Sequence, residues 1–176
     1  RLVKRHALMR RLPAVETLGS TSVICSDKTG TLTKDEMTVR KLYVAEQFLE
    51  VSGAGYEPHG EFSHKGTRIE RSAPLEHLLR AAALASDAQI SNTGSGGAWK
   101  VKGDPTEGAL VVAAEKAGLR KPELDVQFPR VHEIPFSSET KRMTTVHTTL
   151  EGGVAYAKGA PEIVLESCVS QRTADG

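Results

Sequence analysis

One nine-residue stretch carries most of the chemistry legible in this chain: Cys25-Ser26-Asp27-Lys28-Thr29-Gly30-Thr31-Leu32-Thr33. Asp27 stands just past a short β-prone run, Ser22-Val23-Ile24-Cys25, and is followed by a glycine among hydroxyl residues. The run reads as a buried parallel strand, and open α/β sheets gather their ligands at the carboxyl ends of such strands. A carboxylate placed there can attack phosphorus and form an acyl phosphate. It can also share a divalent cation with phosphoryl oxygens, because Mg²⁺ favours hard oxygen ligands. The hydroxyls and backbone N–H groups around Thr29 to Thr31 suit a transferred phosphate. The same residues also describe a plain turn between two strands, and a lone Asp-X-Thr-Gly is more often that turn.

The elements that must position this chemistry are unevenly marked. Residues 1–12 look helical until Pro13 stops the pattern. Residues 37–50 alternate loosely through Val39, Leu42 and Val44 as another strand, and residues 52–72 read as loops around short strands. From Pro74 to Ala85, apolar residues at Leu75, Leu78, Leu79, Ala82 and Ala83 follow a helical period. A second helix spans Pro105 to Ala117, with Asp104 as N-cap, Pro105 in the first turn and Gly118 at its end. Glu107 lies three residues after Asp104, where a capping box would place it. Between the helices, Ser91 to Gly97 is a polar loop with three glycines. Arg142 to Thr149 and Val154 to Lys158 read as a hairpin joined through Glu151-Gly152-Gly153, with Lys158 on the same face as Tyr156 and Val154. A short helix starts near Pro161. Strands and helices do not alternate regularly after residue 40, which favours an α+β arrangement, an antiparallel sheet flanked by helices.

Composition narrows the class. The chain has 176 residues, 39% of them hydrophobic, with 23 Lys and Arg against 22 Asp and Glu. That is enough to build a core and argues against wholesale disorder. The longest clean apolar run, Ala109 to Ala114, is far short of a membrane span, and no apolar segment follows the basic start as in a signal peptide. Cys25 and Cys168 read as reduced thiols rather than a disulfide framework. Residues 1–12 carry Arg1, Lys4, Arg5, His6, Arg10 and Arg11 without an acid. With no aromatic residue among them, base stacking is poorly supported, and nucleic acid is not an expected partner.

The extended string from Cys25 to Thr33 resembles, residue for residue, the phosphorylation signature of P-type cation-transporting ATPases. Three further segments resemble that family's nucleotide-domain motifs, in the expected order. They are Lys102-Gly103-Asp104-Pro105-Thr106-Glu107-Gly108-Ala109-Leu110, Phe136-Ser137-Ser138-Glu139-Thr140-Lys141-Arg142-Met143 and Lys158-Gly159-Ala160-Pro161-Glu162. Leu12 to Gly19 resembles the segment leading into the phosphorylation strand. The Cys-Ser before Asp27 and the Lys-Gly-Ala-Pro-Glu segment look more like calcium- or sodium-pump relatives than heavy-metal pumps, with calcium favoured.

The resemblance implies a set of roles. Asp27 matches the aspartate that takes the γ-phosphoryl group of ATP; Asp27 and the backbone of Thr29 match ligands of the catalytic Mg²⁺. Related phosphatases of the haloacid-dehalogenase type carry a second Asp where Thr29 stands, so the acyl phosphate is expected to persist here. Phe136 matches the aromatic that stacks on adenine, although by composition it reads equally as a core residue after Ile134-Pro135. Lys141 and Lys158 match lysines lining the nucleotide pocket, and Glu107 a glutamate that approaches the adenine amino group. Ser138 departs from the family, whose calcium pumps often carry an arginine there that reaches the phosphates; either Arg142 replaces it from nearby or phosphate binding is weaker. Asp35, where Asn is more usual, is a smaller departure.

The resemblance also implies an architecture. Residues 1–40 are expected to be stalk and the first strand of a haloacid-dehalogenase-like phosphorylation domain, 41–171 a nucleotide-binding domain, and 172–176 the start of the return. The later phosphorylation motifs, the actuator domain and the membrane helices are not found in the chain, so it reads as a cytosolic piece of an integral membrane pump whose other domains are its partners. By itself it is expected to bind ATP weakly and not to turn it over. A soluble phosphatase or phosphotransferase using Asp27, or a non-catalytic nucleotide-binding module, are the alternatives.

Overall fold

The computed structural model describes residues 19–28, 31–33, 36–92, 94 and 98–173. The chain divides into two compact units, Arg1–Asp35 and Glu36–Gly176.

In the first unit the expected strand does not form: residues 21–27 have no regular structure, and Val23 and Ile24 are 72% and 85% exposed. An isolated extended segment has no ladder to satisfy its backbone and no apolar surface to cover its side chains. Among the described residues of this unit, the Lys28 carbonyl accepts from the N–H groups of Leu32 at 3.0 Å and Thr33 at 3.2 Å. The expected helix over residues 1–12 lies outside the described residues.

The described residues of the second unit form three antiparallel sheets and four helices. The first sheet runs β1 (Lys41–Val44), β2 (Gln47–Val51), β3 (Phe62–His64), β4 (Thr67–Arg68) in chain order. The single strand expected over 37–50 is therefore a hairpin. Its turn is Ala45-Glu46, both at positive φ (50° and 60°), a conformation normally signalled by Gly or Asn. Helix α1 (Ala73–Leu84) follows, then the hairpin of β5 (Gln89–Asn92) and β6 (Trp99–Lys102). Helix α2 (Pro105–Lys116) and the short α3 (Lys121–Gln127) lead into the third sheet, β7 (Arg130–Ile134), β8 (Arg142–Thr149) and β9 (Gly152–Gly159). Helix α4 (Pro161–Glu166) ends the ordered elements. The β8–β9 hairpin and α1, α2 and α4 lie where the sequence places them.

One core joins the first sheet to the helices. Leu49, Val51 and Phe62 pack with Leu75, Leu79, Ala83 and Leu84 of α1 and with Ala113 and Ala114 of α2. Helix α1 buries one stripe, as its periodicity predicts. Helix α2 buries Ala109, Val111, Val112, Ala113 and Ala114, positions spread around its whole circumference, so it runs through the interior. Its approach to β6 depends on Gly108: a Cβ there would lie 2.6 and 2.7 Å from the two methyl carbons of Val101.

Gly108→Ala is therefore expected to lower stability by about 1–2 kcal/mol, although alanine is the better helix former. Adding Val101→Ala should remove most of that loss. A denaturant-unfolding double-mutant cycle measures both effects, and additive losses would show that the two residues do not collide.

Candidate functional site

The N-terminal turn of α2 faces the ends of β8 and β9 across a cleft of about 550 Å³. Its walls are Asp104, Thr106, Glu107 and Leu110 from the helix, Met143 and Lys158-Gly159 from the hairpin, and Phe136 from the loop between β7 and β8. The cleft thus brings Glu107, Phe136 and Lys158 together. Phe136 is 59% exposed, so it is not the core residue that composition allowed. Met143, 6% exposed, supplies an apolar floor. A larger cavity of about 630 Å³ lies between β3–β4 and the end of α2; of its charged lining, Arg68 pairs with Glu61, Arg71 with Glu76, and Lys116 donates to the Ser52 carbonyl.

Asp104 caps α2, its carboxylate accepting from the backbone N–H of Thr106 at 2.8 Å and of Glu107 at 3.1 Å. The reciprocal half of a capping box is not made. Glu107 instead turns into the cleft wall, where Oε2 accepts from the N–H groups of Asp87 at 2.7 Å and Ala88 at 3.1 Å. Its Oε1 accepts from Lys158 Nζ at 2.5 Å. The Lys158 ammonium also reaches Ser86 Oγ at 3.4 Å. Tertiary donors within reach of a half-buried carboxylate win over the exposed local one, because they relieve its burial.

The turn between α1 and β5, residues 84–88, is itself held from the third sheet. Arg130 of β7 donates from Nη1 to Asp87 Oδ1 at 2.7 Å and Glu133 Oε2 at 2.9 Å. From Nη2 it donates to the carbonyls of Leu84 at 3.1 Å and Ser86 at 3.3 Å. Partial burial works against the guanidinium charge, but the hydrogen bonds and charges of Asp87 and Glu133 outweigh it and hold its pKa above the ordinary value. Behind it, fully buried His147 links the Phe128 carbonyl (2.8 Å) to Thr145 Oγ1 (2.9 Å). Arg130 and Asp87 were not marked by the sequence motifs; an arginine two residues past Phe128 carries no pattern of its own.

The other expected site residues lie elsewhere. Lys141 and Arg142 flank the cleft without lining it. Lys141 sits at φ 47°, its carbonyl accepting from Ala160 N at 2.9 Å, and Arg142 Nη1 donates to Ser167 Oγ at 2.7 Å beyond α4. Gly159 permits that close approach, since a Cβ there would lie 2.3 Å from the Lys141 oxygen. Asp27 belongs to the first unit, exposed, with one carboxylate oxygen accepting from Lys28 N at 2.7 Å. Thr29, like Asp35, lies outside the described residues. Among the described residues no group of three or more acidic, His or Cys side chains is placed to hold a metal, and no helix is long and apolar enough to cross a membrane. Cys25 and Cys168 are both free and exposed.

The Glu107 N–H is the largest influence holding the Asp104 carboxyl below its ordinary value of 3.8; burial opposes it next, and the Thr106 hydroxyl and N–H and the charge of Lys158 add to the lowering. A depressed folded-state pKa means stability that is present above the unfolded value and lost as pH falls through the folded one. Asparagine caps as well as aspartate but does not titrate. Melting temperatures of the wild type and Asp104→Asn are therefore expected to run parallel above about pH 5 and to draw together or cross below about pH 4. Curves parallel throughout that range would remove the capping carboxylate as the cause.

Comparison with known proteins places these segments in one family. The family model for P-type ATPase, cytoplasmic domain N, matches residues 74–176, from α1 to the end of the chain. The cation-transporting ATPase pma1 of Synechocystis is 44% identical over 183 aligned residues, covering 100% of this chain and 20% of the relative. A calcium-transporting ATPase of Bacillus subtilis is 38% identical, covering 94% of this chain and 19% of its own length. The bovine calcium-transporting ATPase type 2C member 1 is 40% identical, covering 97% and 18%. The chain spans about a fifth of the length of the curated relatives it matches. A family model that covers more than half of the chain, over the very elements that wall the cleft, shows that the chain belongs to the P-type ATPases and carries sequence of their cytoplasmic domain N.

Proposed function

We propose that the cleft takes the adenine nucleotide of ATP, and that this chain is the nucleotide-binding part of a membrane cation pump that works through an aspartyl phosphate. The observation that carries the reading is the convergence of Glu107, Phe136 and Lys158, drawn from three separate motifs, on one cleft of about 550 Å³. A cleft of that size suits a small molecule held by apolar surface and a few polar groups. The exposed ring of Phe136 offers a face on which a base can stack, above the apolar floor of Met143. Glu107 presents its carboxylate to the amino edge of the adenine, and Lys158 bounds the pocket beside it. Lys141, at the end of the adjoining loop, and Arg142, the first residue of β8, stand on the side from which the phosphates approach. Either Arg142 leaves Ser167 to take the place of the arginine that Ser138 replaces, or the phosphates are held more weakly.

On this reading residues 1–40 are stalk and the first strand of the phosphorylation domain, 41–171 the nucleotide-binding domain, and 172–176 the return. Strand pairing of residues 22–25 then awaits the rest of the phosphorylation sheet, which agrees with the exposed side chains of Val23 and Ile24. Asp27 is the nucleophile. Its carboxylate oxygen bonds to the γ-phosphorus as the bond to the β–γ bridging oxygen breaks, and ADP leaves with that electron pair. An exposed carboxylate with one oxygen engaged locally fits a cation shared with substrate phosphates rather than caged by protein. Asp27 and the Thr29 carbonyl would hold Mg²⁺, which neutralises phosphate charge when bound. Calcium is the cation favoured, by likeness to relatives named as calcium-transporting, and the whole pump is an integral membrane protein with this part on the cytosolic side.

Titration of ATP into this chain, followed by NMR, is expected to show weak saturable binding that Phe136→Ala reduces about 5- to 100-fold. Lys158→Ala should also weaken it, measured below the melting temperature because the Glu107 carboxylate loses its cation. Binding untouched by both substitutions would move the nucleotide out of this cleft. Incubation of this chain alone with Mg²⁺ and γ-labelled ATP is expected to leave Asp27 unlabelled, since phosphoryl transfer depends on positioning that further domains supply. An acid-stable phosphoprotein would overturn that expectation.

A further inference from the structure

We propose that Arg130 is a positioning residue for the cleft: through the 84–88 turn it fixes the carboxylate of Glu107 and the ammonium of Lys158. The inference rests on the cleft being the nucleotide site. Arg130 does not line the cleft and makes no hydrogen bond to Glu107; besides Glu133 of its own strand, its partners are on the turn. One nitrogen of its planar fork takes Asp87 Oδ1 at 2.7 Å, and the other takes the carbonyls of Leu84 and Ser86 at 3.1 and 3.3 Å. A fork held on both a side chain and the main chain sets the turn's orientation, which a single ammonium cannot do.

The far side of the same turn faces the cleft. The N–H groups of Asp87 and Ala88 point at Glu107 Oε2, 2.7 and 3.1 Å away, and Ser86 Oγ lies 3.4 Å from Lys158 Nζ. Glu107 and Lys158 are thus both referred to one five-residue turn, and that turn is clamped from behind by Arg130. Partners on the turn are committed: Ser86 Oγ donates to the Ala82 carbonyl at 2.7 Å, and Thr145 Oγ1 reaches the Leu84 carbonyl only at 3.4 Å. Loss of Arg130 therefore leaves the Leu84 and Ser86 carbonyls without their guanidinium donor, and the turn free to rotate its N–H groups away from Glu107.

The test compares this chain with Arg130→Met, Arg130→Lys and Phe136→Ala, by ATP titration and by the amide proton shifts of Asp87 and Ala88 without nucleotide. All are read below each variant's melting temperature. Arg130→Met is expected to weaken ATP binding about tenfold and to move both amide protons upfield, as their bonds to the carboxylate lengthen. Arg130→Lys, keeping the charge but not the fork, should fall between Arg130→Met and the wild type. A purely structural arginine would lower the melting temperature and leave shifts and affinity alone, and that result overturns the inference. If Arg130→Met does not fold, Arg130→Lys decides: unchanged shifts and affinity overturn the inference, and intermediate ones support it. Should Phe136→Ala weaken binding while the Arg130 variants do not, only the role of Arg130 fails. If Phe136→Ala has no effect either, the nucleotide reading of the cleft fails and takes the inference with it.

Discussion

The carboxylate of Glu107, with its side chain 15% exposed, is a group that folding can bury only if it is given partners. It has three, and they come from different parts of the second unit: two N–H groups from the turn after α1, and the ammonium of Lys158 from β9. Three pieces of chain far apart in sequence therefore meet at one pair of oxygens. Glycines make the meeting sterically possible. Gly108 lets α2 lie against Val101, and Gly159 lets the end of β9 lie against Lys141. The motif glycines thus belong to the same constraint as the motif charges, since a Cβ at either position would push apart the elements that bring Glu107 and Lys158 within reach.

The third sheet is joined to the helices by polar groups as well as by apolar ones such as Tyr156, which packs against the core. The inward residues of β8 are Met143, Thr145 and His147, with Lys158, Tyr156 and Val154 beside them on β9 and Arg130 and Glu133 on β7. A backbone carbonyl can only accept, so the His147 nitrogen 2.8 Å from the Phe128 oxygen, Nδ1, is the one that carries the proton. In that tautomer Nε2 accepts from the Thr145 hydroxyl, which leaves the Leu84 carbonyl to Arg130. Satisfied networks of this kind specify one docking geometry where a purely apolar contact tolerates several. Apolar packing, by contrast, governs the other side of α1, where Leu75 and Leu79 meet Leu49, Val51 and Phe62.

Elements with strong periodicity or punctuation were legible in the sequence: α1 from its apolar stripe, α2 from Asp104, Pro105 and Gly118, and the β8–β9 hairpin from its glycines. The missed elements lack those signals for identifiable reasons. The β1–β2 turn uses Ala45 and Glu46 at positive φ, which no residue type there announces. Helix α3 buries only Lys121 and Leu124, too little for a period, and gains support from the Lys121–Asp125 pair at 2.9 Å. Strands β6 and β7 are four and five residues long and half-exposed, so alternation has little room to show. At the cleft, the motif residues could be picked out singly, but their partners could not. The capping spacing of Asp104 and Glu107 pointed Glu107 back at its own helix, whereas tertiary donors on residues 87 and 88 capture it. The strand expected at residues 22–25 marks the opposite limit, because a parallel strand is a property of its neighbours as much as of its residues.

Acids placed at the cleft are already engaged, and this bears on what the cleft is for. Among its lining residues the carboxylates are Asp104, which caps α2, and Glu107, whose two oxygens serve three donors. A nucleophile needs a lone pair directed at the reacting atom, whereas hydrogen bonds fix Asp104 to the N-terminus of α2 and Glu107 to the 84–88 turn and Lys158. The acceptor sites left over suit a ligand's donor. An exposed aromatic face, an apolar floor and a fixed acid–amine pair are groups that recognise a ligand. On the proposed reading the reacting carboxylate is instead Asp27, in a separate compact unit. Binding and bond-making are then carried by different units of one chain, and a nucleotide held in the cleft reacts only when domain arrangement brings its phosphates to Asp27. Such a division lets a pump tie chemistry to conformation, because the step is gated by approach rather than by affinity.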